Sequence, residues 1–381
     1  MVKDIENKKY LCLVRLKTSL IVGTSLISLI TCPNAVGAEN NVEFGLSAEG
    51  VYDDNRFLNT TNKQSVYILN LRPTLALTVE DEGMTTVFTA RGAYALSSDQ
   101  AVQQDRFTYG AGVLGTYQYE YSTLSFGASY DRDDIANTEF EDTGIFINNG
   151  VRDRAGANFG YQYQLNETWN IRVSDDFQLV DYSTQNFNNY WSNTAGLGID
   201  VAINDKTSLV QNFSFLHYEP ELSLLAPLNS YSYLAGISHA LSEDTSVTIT
   251  GGASYVDGSY RWSAVGEITH ERENNQLTLR AARELQPSGL GGIRQTESVA
   301  FNTTYNYSEG TNVGLNTSWR RSKDLSDLIQ LKNEFISLSP WVSFEVIRDL
   351  RVRLSYQLRR QKIGFTNDWG VSNAFFISIA Y

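Results

Sequence analysis

The sequence predicts an all-β protein: a transmembrane antiparallel up-and-down barrel of about 18 strands. Two observations support this fold class. After residue 38 the chain consists mostly of segments of about 10–14 residues in which apolar and polar side chains alternate. Tight turns and mostly longer, irregular links join these segments in alternation. A strand of ~10 residues tilted by ~40° covers about 25 Å, which matches the apolar belt of an outer-membrane barrel.

The N-terminal segment is typical of a secretory signal peptide. Basic residues between Lys3 and Lys17 precede the apolar run "TSLIVGTSLISLITC", and "VGA" then places small residues before a cleavage point. We therefore expect residues 1–38 to be removed and residues 39–381 to form one barrel domain without an internal boundary.

Composition narrows the function classes. Cleavage would remove Cys12 and Cys32, the two cysteines of the chain, so disulfides and thiol chemistry are not expected. The formal net charge is −13, which disfavours binding to nucleic acid. An exported, acidic chain with alternating apolar and polar side chains is expected in the bacterial outer membrane. Its lipids and lipopolysaccharide would then surround the barrel.

One stretch, "LRVRLSYQLRR" (residues 350–360), indicates which face of the sheet meets which solvent. Its apolar side chains alternate with three arginines, which are rarely buried without partners. A soluble solenoid, propeller or sandwich would bury the apolar face. Here that face carries aromatic residues near the strand ends, as in the interfacial girdles of membrane barrels. These aromatics are Tyr117, Tyr119, Tyr161, Tyr163, Trp169, Tyr231, Tyr233, Tyr305, Tyr307 and Trp319.

The links predict the orientation of the barrel. Eight tight turns alternate with nine other links, which gives 18 strands and places both termini at the periplasmic end with the short turns. The longer links then face outward from the cell. The tight turns are "EDEG" (80–83), "EYS" (120–122), "NET" (166–168), "NDK" (204–206), "SED" (242–244), "RENN" (272–275), "SEG" (308–310) and "IRD" (347–349).

The last segment resembles the C-terminal signal that the outer-membrane barrel insertion machinery recognises. Phe375, Ile377 and Ile379 alternate with other residues, and the chain ends on the aromatic Tyr381. The resemblance implies that this machinery is a partner.

The same alternation places eleven arginines on the inward face. An 18-stranded barrel is too wide for side chains to fill, so water, a plug or infolded loops must occupy its lumen. Two interpretations stay open: cross-strand ion pairs could stiffen a wet wall, or the guanidiniums could together favour anionic or hydroxyl-rich solutes. The predicted pore-lining residues are Arg72, Arg91, Arg152, Arg154, Arg172, Arg261, Arg280, Arg320, Arg351, Arg353 and Arg359.

Catalytic and cofactor signals are weak. The histidines are His217, His239 and His270, and the sequence places neither a serine nucleophile nor an acid beside any of them. After cleavage no Cys/His spacing for a metal remains. We expect no catalytic residue, no cofactor and no metal.

The N-terminal hairpin resembles a family of outer-membrane β-barrel porins associated with exopolysaccharide export. The similarity is carried by "VYDDNRF" (51–57) and "LRPTLAL" (71–77), and repeated hairpins such as "SEDTSV" continue it along the chain. The resemblance implies a conduit for a secreted polysaccharide, with separate periplasmic export proteins as partners. The positions it marks are Tyr52, Asp53, Asp54, Asn55 and Pro73.

Three functional hypotheses follow. The first is a non-enzymatic outer-membrane channel for a secreted exopolysaccharide. The alternative is a general or anion-selective porin for small solutes, favoured by the inward arginines. A membrane-embedded hydrolase that uses one of the histidines is the third and the weakest.

Overall fold

The computed structural model describes residues 39–135, 138, 150–222, 226–290, 292–325, 332–364 and 368–381. The signal peptide expected at residues 1–38 lies outside these ranges. Within them, no helix is both long enough and apolar enough to cross a membrane.

Eighteen β-strands follow one another along the described chain. The first nine are β1 (Glu39–Asp53), β2 (Val66–Asp81), β3 (Met84–Ser97), β4 (Arg106–Gln118), β5 (Ser122–Asp134), β6 (Val151–Gln164), β7 (Trp169–Tyr182), β8 (Tyr190–Asn204) and β9 (Thr207–Pro220). The others are β10 (Leu228–Ala240), β11 (Thr245–Val256), β12 (Ser259–Arg272), β13 (Asn275–Ser288), β14 (Gly292–Ser308), β15 (Thr311–Asp324), β16 (Lys332–Ile347), β17 (Leu350–Ile363) and β18 (Gly370–Ala380).

The sheet closes on itself. Each strand pairs antiparallel with the next one along the chain, and β18 pairs with β1. At this seam Asp53 lies opposite Ala374, and Ser47 lies opposite Ala380. Closure satisfies the edge groups that an open sheet would expose to lipid. The predicted barrel of 18 antiparallel strands is confirmed.

The links differ between the two ends of the barrel, as the sequence predicts. Eight short turns lie at the end that holds both termini, which is the periplasmic end of such barrels. Gly83 has a φ of 73°, a left-handed conformation that glycine adopts at little cost. The opposite end carries the longer links, with two exceptions: three residues separate β13 from β14, and Asp257 and Gly258 alone join β11 to β12. Both have positive φ, as a two-residue hairpin turn requires.

The outward face of the wall is apolar. On β1, Val42, Phe44 and Leu46 are 65%, 66% and 48% exposed, while the residues between them face inward. Exposed apolar side chains recur at alternate positions around the barrel, among them Leu69, Leu71, Tyr231, Tyr233, Phe375, Ile377 and Ile379. A soluble protein does not leave an apolar band of this size in water. The chain forms an outer-membrane β-barrel.

The buried residues lie inside the barrel, mainly in its extracellular half. One cluster joins Val51, Val66, Ile68 and Val102. A second cluster contains Val180, Tyr190, Leu216, Tyr218, Val256 and Ile293. Most of these apolar side chains point inward from the ends of the strands, so packed side chains occupy part of the space near the mouth.

Candidate pore and its extracellular mouth

The alternation of the strands places all eleven predicted arginines on the inward face. On β17, Arg351, Arg353 and Arg359 lie opposite Ala380, Ser378 and Ser372 of β18, whose neighbours Phe375, Ile377 and Ile379 point outward. The position of these arginines agrees with the sequence pattern. Their role in lining a conducting pore remains a prediction.

Several inward arginines form ion pairs with acids on nearby strands. A nitrogen of Arg72 on β2 lies 2.8 Å from a carboxylate oxygen of Glu49 on β1. Arg91 on β3 reaches over β4 to Asp131 at 2.8 Å and Asp133 at 3.1 Å on β5. Such pairs hold neighbouring strands in register along a wet wall, as the first interpretation of the arginines expects. Two more cross-strand pairs are Arg172–Asp200 at 2.8 Å and Arg280–Glu267 at 3.8 Å.

Arg351 and Arg353 are different, because their guanidiniums are exposed to the lumen. Among the described residues, neither makes an ion pair with a carboxylate, although Glu345 lies opposite Arg351 on the neighbouring strand. The guanidinium of Arg353 lies 4.1 Å from the centre of the Trp341 ring, which fixes it by a cation–π contact. These two cations can therefore act on a solute in the lumen.

Arg154 and Arg261 also lack an ion pair within the described chain, but each has a buried Nε atom and is only partly exposed. Arg152 and Arg320 are half-buried or buried in the wall. The remaining arginine, Arg359, is buried and does not contact open water.

Arg359 belongs to a polar network that holds the first extracellular loop. Its guanidinium donates to the carboxylate of Asp53, which is 0% exposed. The hydroxyl of Ser372 donates to the same carboxylate at 2.7 Å and accepts from Arg359 at 3.0 Å. Next to it, Asp54 accepts the backbone N–H and the side-chain amide of Asn373, both at 2.7 Å. The seam between β1 and β18 is thus closed by side chains as well as by backbone pairing.

The loop after β1 folds against the inner wall. The side-chain amide of Asn55 donates to the carbonyls of Asn59 and Val371, both at 2.8 Å. Leu58, buried at φ 53°, packs on Phe335 of β16. The loop therefore extends over β18 and β17 to reach β16. Three residues that the resemblance marks, Asp53, Asp54 and Asn55, are the anchors of this loop.

Arg56, also buried, adds charge to this anchor. A guanidinium nitrogen of Arg56 lies 3.9 Å from the Asp53 carboxylate. Burial, together with the nearby guanidinium of Arg359, lowers the pKa of Arg56, while Asp134 and Asp53 oppose the shift. Two buried arginines thus depend on a small number of carboxylates for compensation.

A second element narrows the mouth from the opposite wall. The hydroxyl of Tyr218 on β9 donates to the carbonyl of Ser288 at 3.0 Å, and the N–H of Asn188 donates to the carbonyl of Gly289 at 2.6 Å. Three strands separate β9 from β13, so the turn between β13 and β14 bends across the lumen. At Gly289 a Cβ would lie 2.5 Å from the hydroxyl of Tyr182, so a side chain at this position would require the Tyr182 ring or the strap to shift. We call residues 288–290 and 292 the strap.

The other predicted positions lie on the outer wall. Tyr52 faces lipid with its ring centre 4.8 Å from that of Tyr67, and Pro73 lies opposite Leu46. The residues of the expected insertion signal, Phe375, Ile377, Ile379 and Tyr381, are exposed and point outward. Recognition by the insertion machinery stays a prediction.

The histidines do not form a catalytic arrangement. Nδ1 of His217 lies 2.7 Å from the side-chain oxygen of Asn229, and its Nε2 lies 3.7 Å from Glu219. Nδ1 of His239 and Nδ1 of His270 each lie 2.9 Å from a threonine hydroxyl. Within the described chain, none of the three contacts both a hydroxyl and a carboxylate, and no cluster of potential metal ligands occurs there.

Sequence reasoning missed the narrowed mouth. The missed residues include Arg56, Leu58, Tyr218, Gly289 and Arg294, which is among the most buried side chains. A signal for part of this packing exists in the sequence: Val51, Ile68 and Leu216 are apolar at positions where the alternation expects polar, inward side chains. Inward apolar residues near strand ends indicate packing inside the barrel.

Comparisons with known proteins give similarity of fold alone. No protein-family model matches the chain, and no curated protein sequence matches it. Among solved structures, OpdK from Pseudomonas aeruginosa is 9% identical, with a TM-score of 0.47, over 90% of this chain and 99% of that one. OpdQ from Pseudomonas aeruginosa is 11% identical (TM-score 0.48, coverage 90% and 97%), and OccAB3 from Acinetobacter baumannii is 10% identical (0.48, 90% and 99%). Similarities at this level carry no conclusion about a transported solute, and no family model supports the link to exopolysaccharide export.

Proposed function

We propose that this barrel is a passive, non-enzymatic outer-membrane pore for small solutes, with a preference for anions. The observation that carries the proposal is the exposed pair Arg351 and Arg353 on the inward face of β17. A guanidinium is always charged and is suited to forked hydrogen bonds with carboxylates and phosphates. Polar and charged side chains cover the wall around the two arginines and stay hydrated in a wide lumen.

The narrowed mouth favours small solutes over a polymer. The loop anchored by Asp53 and Asn55 covers one side of the extracellular end, and the strap extends across from the other. A polysaccharide chain would have to displace both elements. Small ions and metabolites could pass through the gaps between the loop and the strap.

The test is the ion selectivity of the full-length barrel in planar lipid bilayers. A unit charge about 10 Å from an ion contributes about 0.4 kcal/mol in water, or about a two-fold change in local concentration. At 0.01 M salt the Debye length is ~30 Å, so this effect persists. Each charge raises the local anion concentration and lowers the local cation concentration about two-fold, so for R351Q/R353Q we expect the ratio of anion to cation permeability to fall about sixteen-fold. Arg348 in the β16–β17 turn at the periplasmic rim is 95% exposed and lies 3.8 Å from the carboxylate of Asp349, so R348Q is the control and should lower the ratio much less than R351Q/R353Q does.

Two outcomes would contradict the proposal. A wild-type barrel that never conducts would exclude a small-solute pore. If R351Q/R353Q conducts with the wild-type permeability ratio, these arginines do not act on the permeating ions.

The exopolysaccharide conduit is the second candidate, and it rests on the motif at residues 51–57 and 71–77. Separate periplasmic export proteins would then be its partners. A deletion strain that secretes a normal amount of extracellular polysaccharide would exclude it. Loss of secretion, restored by the wild-type gene, would favour it over the small-solute pore.

A further inference from the structure

The outward face of the barrel carries a row of charges across five neighbouring strands. The pairing places Arg283 (β13), Glu297 (β14), Arg321 (β15), Glu334 (β16) and Lys362 (β17) side by side in that order. All five side chains point away from the lumen. Trp319 also points outward, two residues before Arg321 on β15 and therefore nearer the periplasm. We call this set the charged row.

The charged row marks the outer edge of the apolar belt. It lies within a few residues of the extracellular strand ends at Asp324 and Lys332. Towards the periplasm along β14 and β16, the outward positions are apolar again, with Val299 and Leu338 exposed. Ionised groups are costly in the hydrocarbon core but not among lipid head groups. The row is therefore at the level of the outer-leaflet head groups.

The row is a built surface rather than a set of free side chains. A nitrogen of Arg283 lies 2.6 Å from Glu297, and its guanidinium stacks 3.9 Å from the centre of the Trp262 ring. Arg321 lies 3.9 Å from the same glutamate. The indole N–H of Trp319 donates to Glu334 at 2.8 Å. These contacts fix the positions of the cations.

Further cations flank the row on the extracellular side. Lys323 and Lys332 lie directly opposite each other on β15 and β16, and both are exposed. Like charges in this position destabilise a sheet unless an anion lies between them. In the described chain, no carboxylate forms an ion pair with either lysine. Among the described residues, the charged row and the two lysines together contain five cations and two carboxylates, Glu297 and Glu334.

The opposite side of the barrel has the reverse charge. There Asp153 and Asp181 lie directly opposite each other on the outward face of β6 and β7, and Glu219 follows on β9. Arg132 on β5 pairs with Asp153 at 3.3 Å, so three carboxylates stand beside one arginine in this set. The excess of positive charge is therefore confined to one arc, and it is not a general property of the outer rim.

We propose that the arc over β13–β17 binds the phosphate groups of an outer-leaflet glycolipid, with one phosphate between Lys323 and Lys332. The occupant is a membrane lipid because the surface lies in the plane of the head groups and continues into exposed apolar side chains that would contact acyl chains. Charge complementarity selects a phosphorylated head group. The site is independent of the proposed pore.

The test measures the binding of lipid A to the full-length barrel in a neutral detergent. The probes are bisphosphorylated lipid A, dephosphorylated lipid A and inorganic phosphate, each followed through the rise in the apparent melting temperature of the barrel. A basic residue near an anionic surface contributes about five-fold in affinity, so K323Q/K332Q should bind bisphosphorylated lipid A about twenty- to thirty-fold more weakly than wild type. K323R/K332R keeps both charges and should bind normally.

The control K63Q/K206Q removes two lysines from a loop and a periplasmic turn and should bind as wild type does. Equal affinity of wild type and K323Q/K332Q for bisphosphorylated lipid A would overturn the proposal. So would equal affinity of wild type for dephosphorylated lipid A. An equal response to inorganic phosphate alone would contradict the lipid as the occupant. Since the readout is stability, a variant that fails to fold would be recognised by its lost β-sheet signal, and the titration would then use single K323Q and K332Q variants.

Discussion

Replacing Asp53 by asparagine should release the first extracellular loop and widen the mouth. The change leaves two buried guanidiniums, Arg359 and Arg56, without their shared carboxylate. Removing one partner of a buried ion pair costs about 3–5 kcal/mol. The remaining anchors are the burial of Leu58, about 1.5–3 kcal/mol, and the two hydrogen bonds from the Asn55 amide, about 1 kcal/mol each.

The penalty therefore equals, within its range, the free energy that holds the loop against the wall. Release of the loop would hydrate both arginines, so we expect D53N to shift the loop toward an open state by about two orders of magnitude. Single-channel recordings in planar bilayers should show a larger or longer-lived open conductance than wild type. Asp257, exposed at the tip of the β11–β12 turn, provides the matched control: D257N makes the same chemical change and should leave conductance unchanged.

The double variant D53N/R359Q tests the physical reason for the effect. Removing both members of a buried pair is often close to neutral, so the double variant should conduct more like wild type than D53N does. Wild-type conductance in D53N itself, with a folded barrel, would refute the reasoning, because the loop would then not depend on the buried charge.

Three further predictions concern other parts of the wall. G289V places side-chain atoms where the Tyr182 ring lies, so it should displace the strap and raise the open conductance; unchanged conductance would mean that the strap does not restrict flow. Y218F removes the hydrogen bond to Ser288 and should lower the free energy of unfolding in urea by about 1 kcal/mol, whereas no change would show that the bond contributes nothing net. D131N should cost at most about 1 kcal/mol, because Arg91 is 54% exposed and keeps Asp133; a loss of several kcal/mol would show that this ion pair is less screened by water than its exposure suggests.

The fold could be predicted from the sequence because the physics that specifies it is local. Alternation along segments such as residues 350–360 determines which side chains face lipid, and the tight turns fix the number of strands. The aromatic positions Tyr231 and Tyr233 point outward and are exposed, as the girdle argument expects.

The mouth could not be predicted in the same way, because its contacts are non-local. Asp53 and Arg359 are 306 residues apart, and Tyr218 and Ser288 are 70 residues apart. The alternation placed Arg359 on the correct face but could not distinguish a buried structural arginine from an exposed one such as Arg353. The charged row was missed for a related reason: it depends on the register of five strands, and no single segment shows it.

The most direct test of the account is single-cysteine labelling along β17 in a C12S/C32S background, with the barrel reconstituted in lipid. The reagent is a charged, membrane-impermeant thiol reagent, and the readout is both labelling and the block of conductance. Cysteines that replace Arg351, Arg353 and Ser355 should react and reduce the current, whereas those that replace Val352, Leu354 and Tyr356 should not. Reaction at every position, or at the second set alone, would contradict a wall with water inside and lipid outside.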